Sequence, residues 1–332
     1  MYFAAPQGGA VVLGAARRST LSQRMKACVD IGGTKVAVSL SDGKGMTLLA
    51  RHSELTARTG DNDALAAQVM RLTGRACSQA GIDESAITAM GVSSCGPFVL
   101  KDGLIELAAP NICGGLAGPE RGLPNSWMSA RLEAPLRQRY RNVKVANDCV
   151  AALEAERRWG ALQGFDHCAY VTWSTGIGIG VCVDGHVLSG KNGNAGHGGH
   201  MFVSDDLSGA LCGCGNHGDV EALVAGNAMA RRFGRDAAAL MSACNAGDRQ
   251  AMAIVDELCR VLGRAIYNLV VTLDLERVSL GGSVFWHHRD YLLPRLQSHI
   301  DGHLSALTGG VKLVPAGLGM QVGDYAALAL VA

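Results

Sequence analysis

Cys212-Gly-Cys214, a Gly-Asn-His-Gly turn and then Asp219 look like a metal knuckle that has lost a member, a carboxylate standing where a third thiolate is expected. A second patch, Asp30-Ile-Gly32-Gly33-Thr34-Lys35, sets a carboxylate at a strand end, two residues without side chains, a hydroxyl and an ammonium. Gly-Gly lets backbone N–H groups approach an anion, Thr34 can donate to a phosphate oxygen, and Asp30 can hold Mg2+ directly or through water. The same chemistry returns in the second half as Ser174-Thr175-Gly176-Ile-Gly178-Ile-Gly180, and Leu280-Gly281-Gly282-Ser283 suits a nucleobase or ribose. Phosphoryl transfer needs these parts. The natural chemical centre is Asn147-Asp148, where a carboxylate could orient a sugar hydroxyl and take its proton, help worth ~10² to 10⁴ in rate. Each patch has a plainer reading: glycine pairs make ordinary hairpin turns, Asp148 sits where a helix N-cap belongs, and the knuckle could be an empty loop with two free thiols. A Walker-type loop is excluded, because a strand rather than a helix follows Lys35.

The 332 residues are 48% hydrophobic and carry a net charge of +1, which fits two domains rather than one. Acids and bases are interspersed, so nothing points to nucleic acid or a membrane surface, and a small neutral or anionic ligand is the expected partner. Eleven cysteines, several of them (Cys28, Cys168, Cys182, Cys259) inside apolar runs, suit a reducing cytoplasmic compartment. No apolar run approaches the ~20 residues that cross a bilayer. The leader carries Arg17, Arg18, Arg24 and Lys26 before the first acid, Asp30. It reads as a transit peptide, a weak signal peptide, or a disordered tail over 1–25 ahead of a start at Met25.

The elements that must position these groups follow an α/β pattern. Strands at 27–31 and 36–40 flank Gly32-Gly33 as a hairpin, a helix covers 64–80, and a strand covers 87–93. Asp102-Gly103 turns between short strands, 114–124 is a Gly/Pro-rich loop, and a helix is expected around 128–140. A strand at 143–146 ends in Asn147-Asp148 and runs into a helix over 149–159; strand ends of this kind face the ligand crevice of an open α/β sheet. Strands at 169–173 and 179–183 then repeat the opening hairpin, which predicts a duplicated architecture with a cleft between the halves. Helices at 252–273 and 289–303 flank a strand at 278–280.

Taken together, the three glycine sites resemble the superfamily of actin, the heat-shock chaperone ATPases and sugar kinases, whose two ribonuclease-H-like domains close on ATP. The resemblance narrows at Asn194-Ala-Gly-His197-Gly-Gly-His200-Met-Phe202 and Cys212-Gly-Cys214-Gly-Asn-His217-Gly-Asp219-Val-Glu221. This pair looks like the double signature of the ROK family (repressors, open reading frames and sugar kinases), roughly Gly-Glu-x-Gly-His and Cys-x-Cys-Gly-x-x-Gly-Cys-x-Glu. Gly96-Pro97 and Pro110-Asn111 fall in family order as well, so the resemblance covers nearly all of 26–332. It implies an ATP-dependent kinase for the primary hydroxyl of a hexose or hexose-like ring, with Asp148 as base and Gly96, Asn111, Asn147, His200 and Glu221 at the sugar. It also implies structural zinc on His200, Cys212 and Cys214, a homodimer, and lobes of 26–148 with 317–332 and of 149–316.

The chain departs from the family pattern twice. His197 replaces the sugar-binding glutamate, and imidazole does not offer the two acceptor oxygens of a carboxylate, so an amino sugar, an epimer or a cyclitol is expected in place of plain glucose. Asp219 replaces the third zinc cysteine; carboxylate oxygen is a competent zinc ligand at about 2.0 to 2.2 Å, and His217 is a nearby substitute. Regulators of the family carry a helix-turn-helix ahead of the kinase-like body, and the residues before 26 show no helical period.

Overall fold

A computed structural model describes residues 24–118, 121–205 and 211–332, so the expected leader lies, up to residue 23, outside the described residues. The first lobe opens with a meander of β1 (Met25–Ile31), β2 (Lys35–Ser41) and β3 (Leu49–Leu55), then α1 (Ala64–Ala80) and β4 (Ile87–Ser94). A small sheet follows, β5 (Phe98–Lys101), β6 (Leu104–Leu107) and β7 (Ala130–Arg131), with the single turn α2 (Gly114–Ala117) before β7. The lobe's main sheet is completed through α3 (Glu133–Arg139) by β8 (Val143–Asn147).

Next come α4 (Asp148–Trp159), β9 (Cys168–Trp173), β10 (Ile177–Val183), β11 (His186–Val187), α5 (Val220–Val224), α6 (Gly226–Phe233), α7 (Ala237–Asn245) and α8 (Arg249–Leu273). The chain ends with β12 (Arg277–Gly281), α9 (Ser283–Asp301), α10 (Ser305–Thr308), β13 (Lys312–Pro315) and α11 (Val322–Ala329).

The two main sheets have the same plan. Their orders are β3-β2-β1-β4-β8 and β11-β10-β9-β12-β13, each with a leading antiparallel meander whose first strand pairs in parallel with the fourth. A fifth strand then adds in parallel in both. This is the ribonuclease-H-like arrangement twice over, as in actin-like ATPases, and the duplication expected from the repeated hairpins is present. Each sheet has its own core: Val29, Leu72 and Met90 belong to one, Val171, Trp173 and Phe285 to the other.

Two glycines show how tightly helices cover the sheets. A Cβ on Gly91 of β4 would stand 1.9 Å from the Ala327 carbonyl of α11, and one on Gly180 of β10 would stand 2.4 Å from the Cys149 carbonyl of α4. Thus α11, far along the chain, packs on the first sheet, and α4, leaving the first sheet, packs on the second.

Three expectations change. The helix expected over 128–140 is a short strand and a shorter helix, because Ala130 and Arg131 pair with Leu107 and Glu106 and Arg131 binds Asp63 at 2.9 Å. The helix expected from 289 begins at Ser283 and bends at His288, whose backbone leaves the helical region. The 114–124 loop contains the turn α2. Among the described residues no helix is long and apolar enough to cross a membrane, and the eleven cysteines are all free.

Candidate functional site

The carboxyl ends of β1, β4 and β8 lie side by side, with Asp30 opposite Ser93 and Ser94 opposite Asn147. This register brings Asp30 and Asp148 to one edge of the first sheet. Burial pushes Asp30 up to about 6, the nearby Asp148 charge adds to that, and Arg51 and Lys35 oppose it. Asp148 is exposed to solvent on one side and has protein packed around it on the others. The crowding governs its chemistry: desolvation lifts its carboxyl above the usual range against the stabilising hydrogen bond from the Cys149 N–H. Asn147, not Asp148, is the N-cap of α4, its Oδ1 accepting from Cys149 N at 3.0 Å, although Asp148 Oδ1 accepts from the same N–H at 2.8 Å.

The turn Gly32-Gly33-Thr34 projects beside Asp30. Gly32 N donates to the Lys35 carbonyl at 2.9 Å and Thr56 Oγ1 donates to the Gly32 carbonyl at 2.7 Å, which fixes the loop, while Thr34 and Lys35 remain exposed. Asn111 lies directly against the turn, since a Cβ on Gly33 would meet its Nδ2 at 2.1 Å. Arg58, which carried no signal in the sequence reading, donates from Nη2 to the Gly33 carbonyl at 2.5 Å, and its Nε is buried without a partner.

The second lobe supplies the facing wall. Thr175 is exposed at the tip of the second hairpin, and the turn is held by Ser174 N to the Gly176 carbonyl at 3.0 Å and by Gly226 N, at the start of α6, to the Ser174 carbonyl at 2.8 Å. Glu221 reaches the same hairpin: its Oε2 accepts from Ile177 N at 3.1 Å, and a Cβ on Gly176 would meet that oxygen at 2.7 Å. At Gly178 a Cβ would stand 2.3 Å from Cys149 Sγ of α4, so the packing of that helix also requires glycine there. Gly281 and Gly282 join β12 to the N-terminus of α9, where a Cβ would meet Tyr170 Oη at 2.4 Å and the Trp173 carbonyl at 2.4 Å, and Gly282 has φ +88. A glycine turn into a helix N-terminus suits an anionic or nucleotide group.

Asn194 ties the walls together, accepting from Phe98 N and donating to the Phe98 carbonyl, both at 2.7 Å. The loop it anchors brings His197 of the second lobe against Gly96 of the first: a Cβ there would stand 2.8 Å from the imidazole Nε2 and 3.4 Å from Asn147 Nδ2. His197 Nε2 is buried without a partner, and desolvation together with the neighbouring His200 lowers its pKa, which favours the neutral ring. A buried polar atom without a partner, aimed between the lobes, is a place for a ligand atom.

Below this lies the knuckle. His200 Nδ1 is 3.4 Å from Asp219 Oδ2 and 3.6 Å from Cys212 Sγ, and Cys214 Sγ is 3.4 Å from Asp219 Oδ2. All four donor atoms lie within 4.8 Å of one another, whereas His217 is outside the group. Ligands about 2.0 to 2.3 Å from a central ion form a tetrahedron with edges of about 3.3 to 3.8 Å, so the donor set fits zinc. The Asp219 hydrogen bond raises the His200 pKa, and burial pushes the Cys212 thiol up, so a cation is what would turn it into a thiolate. The other Asp219 oxygen caps α5, accepting from Ala222 N at 2.7 Å.

Comparison with known proteins agrees with this geometry. Residues 26–332 match the ROK family. An N-acetylmannosamine kinase of Salmonella newport is 32% identical over 267 residues, 77% of this chain and 82% of that one. The ROK hexokinase of Thermus thermophilus superposes with a TM-score of 0.72 at 31% identity, covering 92% of this chain and 97% of that one. A ROK family glucokinase from Streptomyces griseus, in complex with glucose and AMPPNP, superposes with a TM-score of 0.67 at 26% identity over 91% and 97% of the two chains. The match over residues 26–332 and the double sheet plan agree, and the chain belongs to the ROK family.

Proposed function

We propose that the protein transfers the terminal phosphoryl group of ATP to the primary hydroxyl of a hexose carrying a 2-acylamino group, with N-acetylmannosamine the leading candidate. The observation that carries this reading is Asp148, a carboxyl with raised proton affinity at the floor of the cleft, beside the lobe contact of Gly96, Asn147 and His197. A base whose pKa is raised takes a hydroxyl proton more effectively than an ordinary carboxylate. Asp148 would orient the hydroxyl and accept its proton as the oxygen attacks phosphorus, while the N–H groups of Gly33 and the tip of the second hairpin cradle the donor.

Mg2+ fits Asp30, because the Asp148 charge nearby opposes its ionisation and a hard cation would relieve that repulsion. When bound, it would neutralise charge on the phosphates. Zinc would sit on His200 Nδ1, Cys212, Cys214 and Asp219, fixing the loop that orients His200 Nε2 and Glu221.

The 2-acylamino preference rests on His197. The single unpartnered nitrogen of its ring, Nε2, can make one hydrogen bond to an amide group of the substituent, where the family's carboxylate would accept from two hydroxyls. The 32% identical relative is named for such a substrate. The free cysteines suit the cytoplasm. A coupled ADP-release assay over N-acetylmannosamine, N-acetylglucosamine, glucose, mannose and inositol tests the reading, with Asp148→Ala beside it. N-acetylmannosamine should give the highest kcat/KM; glucose in first place refutes the preference, and an Asp148→Ala enzyme with substantial turnover removes Asp148 as base.

A further inference from the structure

Glu156 lies on α4 about two turns beyond Asp148, and its side chain is fully buried. Its Oε2 accepts from Ala161 N at 2.8 Å, Gly317 N at 2.8 Å and Ser279 Oγ at 3.2 Å, and its Oε1 accepts from Leu318 N at 2.9 Å. No room is left around it: a Cβ on Gly160 would stand 2.5 Å from the carboxyl group, and one on Gly317 would stand 2.5 Å from Ala161 N. A carboxylate taken out of water is tolerated only while such donors stay in place.

Those donors come from three separate parts of the chain. Ala161 belongs to the turn that ends α4, Ser279 stands on β12 just ahead of Gly281-Gly282, and Gly317-Leu318 carry the chain from β13 back toward α11 on the first sheet. The chain passes between the lobes at the start of α4, about two turns before Glu156 on the same helix, and again between β13 and α11, where Gly317 and Leu318 donate to Glu156. Trp159 of α4 and Tyr325 of α11 stack edge-on beside them, ring centroids 6.3 Å apart. Closure of a two-lobed enzyme turns about the segments that cross between lobes.

We infer that Glu156 is a positioning residue: it pins α4, β12 and the returning segment into one unit, so that Asp148 keeps a fixed place relative to the Gly281-Gly282 loop as the cleft closes. The inference rests on the kinase reading, because it concerns where the base stands when the donor phosphate arrives. The decisive substitution is Glu156→Gln, which keeps the volume but turns one terminal oxygen into a donor that must face an N–H.

The expected result is a kcat per folded molecule lower by about 10- to 100-fold, the loss that a misplacement of roughly 1 Å produces, with KM values for sugar and ATP changed by less than about threefold. Small-angle X-ray scattering with N-acetylmannosamine and AMPPNP should show the unmutated protein and Asp148→Ala compacting fully and Glu156→Gln only in part. A variant with a lower Tm but unchanged kcat overturns the inference and leaves Glu156 a role in stability alone. Turnover without compaction in the unmutated protein sinks the pin but not the kinase; compaction without turnover of any sugar sinks the kinase reading and leaves the scattering to decide on Glu156; absence of both sinks both. Should Glu156→Gln fail to fold, Ser279→Ala decides: a kcat lower by about three- to tenfold supports the pin, and an unchanged kcat overturns it.

Discussion

Replacing Asp219 by asparagine and by alanine separates two tasks that one buried carboxylate performs. Oδ1 accepts from Ala222 N at 2.7 Å and caps α5, while Oδ2 points at Cys214 Sγ and His200 Nδ1, both at 3.4 Å. Asparagine caps a helix as well as aspartate does but brings no charged oxygen to a metal, and alanine does neither. The unmutated protein should therefore carry one equivalent of zinc, and both variants should lose most of it. After chelation the variants part. Alanine lacks a cap worth about 1 kcal/mol, and for a domain of this size that corresponds to about 2 to 4 °C in Tm. Metal analysis by mass spectrometry, with calorimetry on chelator-treated protein, reads both quantities. Equal Tm values for the two chelated variants would refute the capping task, and zinc retained at full occupancy in Asp219→Asn would refute the ligand task.

Asp148 must be ionised to act as a base, and desolvation by the protein around it raises its carboxyl pKa, so kcat/KM should rise with pH along an acid limb above the ordinary carboxylate range; a limb at the ordinary carboxylate pKa would contradict the assignment. Asp30 has its folded pKa pushed up to about 6, so the fold binds its proton more tightly than the unfolded chain does. Its ionisation cost is absent below the ordinary carboxylate range and complete above about pH 6. Asp30→Asn should accordingly raise Tm at pH 8 and leave it almost unchanged at pH 4, the reverse pattern in calorimetry being evidence against a raised Asp30. His197→Glu restores two acceptor oxygens and should move the kcat/KM ranking toward glucose by about tenfold, the worth of one hydrogen bond; an unchanged ranking separates His197 from specificity.

Much of this protein was legible from local chemistry. The hairpins at Gly32-Gly33 and Ser174-Gly176, the strand end at Asn147-Asp148 and the knuckle from Cys212 to Asp219 are set by residues close in sequence, so their turns follow from short-range sterics and hydrogen bonds. Repetition of the first hairpin in the second half then implied two sheets on one plan. Other features depend on atoms that meet only when the sheets pack. Gly178 and Gly176 look alike in sequence, yet one faces Cys149 of α4 and the other Glu221. Helix periodicity suggested 128–140 as one element until pairing with β6 claimed Ala130 and Arg131. Arg58 against Gly33, Asn194 on Phe98, His197 against Gly96, and Glu156 between β12 and the returning segment join residues distant along the chain. The sequence by itself determined which chemical groups were available and the turns that present them. Only the tertiary structure decided which of those groups meet, because burial and long-range hydrogen bonding, not spacing along the chain, select the partner of each buried polar atom.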